Sequence, residues 1–239
     1  MARLREFPGP SKLRPHATHS TLLTTREGLM DQKSYQLGGI VLILSALAGA
    51  VGSFLHGPQP DTLEAYNALG ASWQISHVSI SMSATLLLIG SLFLARHFAG
   101  TAGNGLALVA AGSLIVGGVA LFALGALETS GFSAAAAEGG VAGQHAFLAV
   151  TAVMVSMGAG VGFLFPVAIA AYGLAMLQDS GWPVWLAWLG VLIGVVQLAL
   201  NIFGITPPGP NILLYIANAW YVVLGVLFMG RGGSSAPAV

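Results

Sequence analysis

Six stretches of the chain run for close to twenty residues or more with almost no charge, and this limits what the chain can fold into. They are roughly Leu37–Leu55, Trp73–Ala95, Gly105–Leu127, His145–Leu177, Val184–Ile205 and Ile212–Met229. A bilayer core about 30 Å thick takes roughly 20 apolar residues per helix. Peptide groups in hydrocarbon must be satisfied within their own segment, so each stretch is expected to be an α-helix. The runs are continuous rather than alternating at every second residue, which argues against barrel strands. The expected fold is all-α, a polytopic membrane bundle of six transmembrane helices.

Composition agrees. Only 7% of residues are charged and 56% are hydrophobic, with eight basic residues balancing eight acidic ones. Soluble domains carry about 25% charge, so a soluble globular fold is excluded. The neutral balance also removes nucleic acid as a partner, leaving the lipid bilayer and, because the loops are short, other membrane subunits. The chain has no cysteine. Disulfides, thiolate metal sites, iron–sulfur clusters and thiol catalysis are thereby excluded.

The basic residues set the expected orientation. Arg3, Arg5, Lys12, Arg14, Arg26 and Lys33 precede the first span, Arg96 closes the second and Arg231 closes the sixth. With six spans all of these fall on one side, which the positive-inside rule makes the cytoplasm, together with both termini. The opposite loops hold Asp61, Glu64, Glu128 and Glu138 and no Lys or Arg. Residues 1–36 read as a disordered cytoplasmic tail, 37–229 as the six-helix transmembrane domain and 230–239 as a flexible C-terminal tail. An Ala- and Gly-rich multi-pass chain suits a bacterial inner (plasma) membrane. The fourth stretch is longer than a bilayer needs and contains Gly158, Gly160, Gly162 and Pro166. One bent helix with a kink or a cytoplasmic extension is expected there.

Polar residues within spans should face the bundle interior. Ser45, Gly49, Gly52, Ser53 and His56 share one face of the first span; His77, Ser81 and Thr85 share one face of the second. Gly190, Gly194, Gln197 and Asn201 line the fifth, and Asn211, Tyr215 and Asn218 the sixth. Small residues of this kind ordinarily serve close helix packing. Trp182, Trp185 and Trp188 at the start of the fifth span read as an aromatic belt. The segment 206–211, Thr-Pro-Pro-Gly-Pro-Asn, reads as a rigid outer turn, and residues 129–143 as a loop flexible enough to act as a lid.

The zigzag of the chain brings metal-binding side chains to a common depth. His56 ends the first span, His77 opens the second, Glu128 ends the third and His145 begins the fourth, all at the outer side. Neutral imidazole is the commonest metal ligand and suits zinc, copper and iron. His56, His77, His145 and Glu128 are therefore candidate ligands for a transition metal (Cu, Zn or Fe). His77 and His145 are alternatively candidate axial ligands of haem b, with Ser81, one turn from His77, a possible orienting contact. No H-x-x-x-H or H-E-x-x-H spacing reinforces the set. Ser76 and His77 are sequence neighbours whose side chains point about 100° apart on a helix, so they form no catalytic dyad. His97 lies on the cytoplasmic side and cannot join the group. Two functions compete: a membrane protein with a histidine-based metal or haem site near the outer leaflet, used for redox, electron-transfer or metal-assisted chemistry, and a non-enzymatic complex subunit or small-solute permease without a cofactor.

Overall fold

A computed structural model describes residues 30–205 and 212–231. Among these residues the chain is helical throughout, with α1 at Gln32–Leu55, α2 at Leu63–Leu69, α3 at Ala71–His97 and α4 at Asn104–Ala126. α4 passes through a π-turn at Leu127–Gly131 into α5, Phe132–Glu138, and α6 (Gly140–Leu177), α7 (Val184–Ile202) and α8 (Ile212–Arg231) follow. Six of these segments are long and apolar enough to cross a membrane, with α4 and α5 counted as one. The spans pack in chain order as a ring, α1 on α3, α3 on α4, α4 on α6, α6 on α7, α7 on α8, and α8 back on α1. Residues 1–29, 206–211 and 232–239 lie outside the described residues, and with them most of the expected tails and the Pro-rich turn. α1 starts five residues earlier than the apolar run, because the Asp31 side chain caps it by accepting from the Ser34 N–H at 2.8 Å.

Close helix approach depends on small residues and on hydroxyls that reach a neighbour's carbonyl. A Cβ on Gly225 of α8 would lie 2.7 Å from the Gly39 carbonyl oxygen of α1, and one on Gly173 of α6 would lie 2.6 Å from the Ala187 carbonyl oxygen of α7. Neither space admits a methyl group. Between α1 and α3, Ser45 donates to the Ser83 carbonyl and Ser83 returns a bond to the Ser45 carbonyl, each at 2.8 Å. Further along the same pair, Ser76 donates to the Gly52 carbonyl at 2.8 Å. These three bonds share one antiparallel register, which sets His56 level with the first turns of α3.

α6 is a single helix of 38 residues that continues through Pro166, roughly 57 Å at 1.5 Å per residue. Its surplus does not extend from the end bearing the termini. The first half of α6 lies instead at the opposite end, where Phe147 and Met154 pack with Leu63, Tyr66, Trp73, Leu124 and Phe132. The segment expected as a flexible lid is therefore helix, and with α2 it forms a cap. Tyr66 Oη meets Ser133 Oγ at 3.1 Å, and the Gln144 side chain accepts from the Leu63 N–H at 3.2 Å.

Pro166 has no N–H to give the Gly162 carbonyl four residues earlier. The Asn201 side-chain amide of α7 donates to that carbonyl, so the helix stays intact across the proline. Inter-helix hydrogen bonds of this kind contribute about 0.6 to 1.7 kcal/mol. Asn201→Ala should destabilise the detergent-solubilised protein by that amount. In a Pro166→Ala background, where the carbonyl regains its own helical donor, the penalty should shrink toward zero; an equal penalty in both backgrounds, measured by a double-mutant cycle, contradicts this pairing.

Candidate metal centre

At the end of the bundle remote from the start of α1, His56, His77 and Glu128 come together. One ligand atom from each lies within 4.8 Å of the other two. His77 is 2% exposed, and its Nε2 is in direct contact with a Glu128 carboxylate oxygen. The His56 and His77 rings lie 4.9 Å apart, centroid to centroid. Ligands on a zinc ion with bonds near 2.0–2.1 Å stand roughly 3.3 Å apart, so modest side-chain adjustment brings the three onto one ion.

The ring nitrogens are distinguished by their partners. His77 Nδ1 lies 2.8 Å from the Trp73 carbonyl oxygen, and His56 Nδ1 lies 3.0 Å from that of Gly57. A carbonyl only accepts, so each Nδ1 carries the hydrogen and each neutral ring keeps its lone pair on Nε2. This is the second-partner arrangement by which metal-bound histidines are oriented. Ser81, expected as the orienting contact for His77, is not the partner. It lies instead where a Cβ on Gly125 would fall, so the absence of that Cβ lets α4 approach α3 and bring Glu128 to His77.

Glu128 sits in the π-turn, where an extra residue widens the helix. Such turns are frequent at functional sites. Thr129 donates to the Gly125 carbonyl at 2.8 Å, and Ser130 to that of Ala126, stabilising the widened turn.

Trp73 is a member of the site that sequence reasoning left among the span boundaries. It is 1% exposed and lies 4.3 Å from the His77 ring and 5.0 Å from the His56 ring, centroid to centroid. Its indole N–H has no hydrogen-bond partner among the described residues, an omission that costs about 1–3 kcal/mol when the group is buried. The signal for it was its spacing: Trp73 and His77 are four residues apart and share a helix face.

His145 does not join the group. Gly143 and Phe147 define the buried face of α6, and His145, two residues from each, is turned about 200° away and is exposed. The two histidines expected as a haem pair thus differ sharply, one buried beside Glu128 and the other on an open helix face.

At the opposite end a second cluster ties four segments together. Tyr35 Oη meets His97 Nδ1 at 3.0 Å, and His97 Nε2 lies 3.1 Å from Asp179 Oδ2 in the α6–α7 turn. Arg231 at the end of α8 approaches Asp179 at 3.8 Å and stacks over the Trp182 ring at 3.7 Å. Trp182 is accordingly buried at 4% exposure rather than in a belt, whereas Trp185 and Trp188 are 59% and 56% exposed.

No family model, curated protein or solved structure matches the chain.

His77 Nε2 and the Glu128 carboxylate are both acceptors when the imidazole is neutral, so their contact calls for a shared proton or a metal ion between them. Glu128→Gln replaces one acceptor by an amide that can donate. In chelator-treated protein this variant should melt some 2–4 °C higher, the shift for roughly 1 kcal/mol in a chain of this size. A lower melting temperature there would instead identify a retained proton bridging the pair.

Proposed function

We propose that this membrane-spanning bundle binds one divalent transition-metal ion through His56, His77 and Glu128, with a fourth coordination position left for a small ligand. The carrying observation is the donor set. His77, its Nδ1 hydrogen committed to the Trp73 carbonyl, sets Nε2 against the Glu128 carboxylate, and a ring nitrogen of His56 lies within 4.8 Å of both. Two histidines and one glutamate are a recognised catalytic set for zinc, and two histidines with one carboxylate also hold non-haem iron. The absence of cysteine favours these borderline ions over those that need thiolate. Metal-assisted chemistry follows, because an open position accepts water or a substrate oxygen and polarises it. The unpartnered Trp73 N–H beside the imidazoles is a ready donor to such an oxygen.

The haem b reading is less favoured, since it needs His145, which is exposed. A plasma-membrane setting with the site toward the outer face rests on the clustering of Lys and Arg at the other side.

Elemental analysis of the purified protein tests the metal reading, using zinc, copper and iron and an optical spectrum for haem. About one ion per chain is expected for wild type. His77→Ala and His56→Ala should lose affinity by more than the roughly 10–100-fold that loss of an outer-shell partner costs. Wild-type protein that takes up no ion and melts at the same temperature with and without added zinc would return the chain to the subunit or permease alternative.

A further inference from the structure

A crevice of about 390 Å³ opens between α3 and α4 and reaches His77 at its inner wall. Val78, Met82 and Phe122 at its edges are 62%, 52% and 56% exposed on helices long and apolar enough to span a membrane, so the opening faces lipid rather than a water-filled channel. From His77 it follows Ser81 and Thr85 along α3, roughly 12 Å at 1.5 Å per residue, toward the middle of that span. Ser81, Thr85 and Thr129 add hydroxyls to its lining, and two of them have their hydrogens in use: Thr85 donates to the Ser81 carbonyl at 3.0 Å and Thr129 to the Gly125 carbonyl at 2.8 Å. Their oxygens are left to accept. The crevice is thus mostly apolar, offers the Thr85 and Thr129 oxygens as acceptors, and ends at the His77 ring, whose Nε2 lies buried against Glu128.

We propose that this crevice is the substrate route of the metal centre, and that the substrate is a membrane-dissolved amphiphile with an apolar tail and a hydroxyl-bearing head. The tail lies along Val78, Met82 and Phe122. The head donates to the Thr129 or Thr85 oxygen and presents its own oxygen toward His77. This rests on the metal reading, because the imidazole at the end of the crevice attracts an oxygen ligand only through a bound ion.

The test uses cobalt-loaded protein in lipid nanodiscs and two metal-chelating probes, decanohydroxamic acid and acetohydroxamic acid. They share a head that carries a hydroxyl, and only the first has a tail. Decanohydroxamate should perturb the visible cobalt bands, and Val78→Trp with Ala126→Trp, which fill the crevice mouth, should weaken this by about tenfold or more, the loss of roughly two buried methylenes. Val195→Trp, on the exposed face of α7, controls for an added indole and should leave the response unchanged. Cobalt that binds with an equal decanohydroxamate response in the crevice variants overturns this inference alone. So does an acetohydroxamate response as strong as that of the long-chain probe. Cobalt that does not bind wild type overturns the metal reading, and this inference with it.

Discussion

The site rests on a conflict between lone pairs. His77 cannot turn its Nδ1 hydrogen toward Glu128, because that hydrogen is held by the Trp73 carbonyl at 2.8 Å within the same helix. In the neutral ring the nitrogen that faces Glu128 is then an acceptor, and in the imidazolium a donor. His56 is fixed in the same sense by the Gly57 carbonyl, where Pro58 ends the helix and α1 gives way to a bend. Three electron-rich groups are thereby gathered where α1, α3 and the π-turn meet, and His77 among them is almost wholly buried. With both rings neutral, like dipoles at this range repel in a medium of low dielectric, and a proton or the proposed metal ion among them would relieve that repulsion. A proton satisfies one contact, between His77 and Glu128; the proposed metal ion would satisfy all three.

The remainder of the bundle holds those helices at the necessary distance. Hydrocarbon offers no hydrophobic drive between helices, so packing and hydrogen bonding must supply it. The reciprocal Ser45–Ser83 bonds and the Ser76–Gly52 bond lock the α1–α3 register, and that register delivers His56 to His77. The missing Cβ of Gly125 lets α4 close on α3. At the far end, Tyr35, His97, Asp179 and Arg231 join α1, α3, the α6–α7 turn and α8. The bundle is therefore tied at one end by paired polar groups, and at the other it gathers His56, His77 and Glu128.

The six spans were legible in the sequence because the bilayer imposes both a length and a near absence of charge, and their bounds moved by only a few residues except at the end of the third, which runs on to Glu138. The shared depth of His56, His77 and Glu128 was legible from the alternation of direction alone. His145 shows where that reasoning stops: depth follows from counting residues along a helix, but facing depends on rotation, and the buried side of α6 is set by Gly143 and Phe147. The π-turn at Leu127–Gly131 was invisible because one extra residue in a helical turn leaves no compositional mark. The Ala- and Gly-rich segment after it looked like a loop for want of bulky residues, yet Phe132 and Ala135 alone suffice to seat it against Tyr66 and Phe147. Trp182 looked interfacial by type and position; its burial follows from Arg231 covering its face and from Phe98 and Phe228 beside it, contacts between segments far apart in the chain. In the same way, the Asn201–Gly162 bond became meaningful only once Pro166 was seen to leave that carbonyl without its helical donor.

X-ray absorption at the zinc edge of the zinc-loaded protein tests the central claim most directly. The account predicts two imidazole nitrogens at about 2.0–2.1 Å with the remaining positions filled by oxygen, and one imidazole fewer in His56→Ala. A first shell made of oxygen alone, or one unchanged by loss of His56, would contradict it.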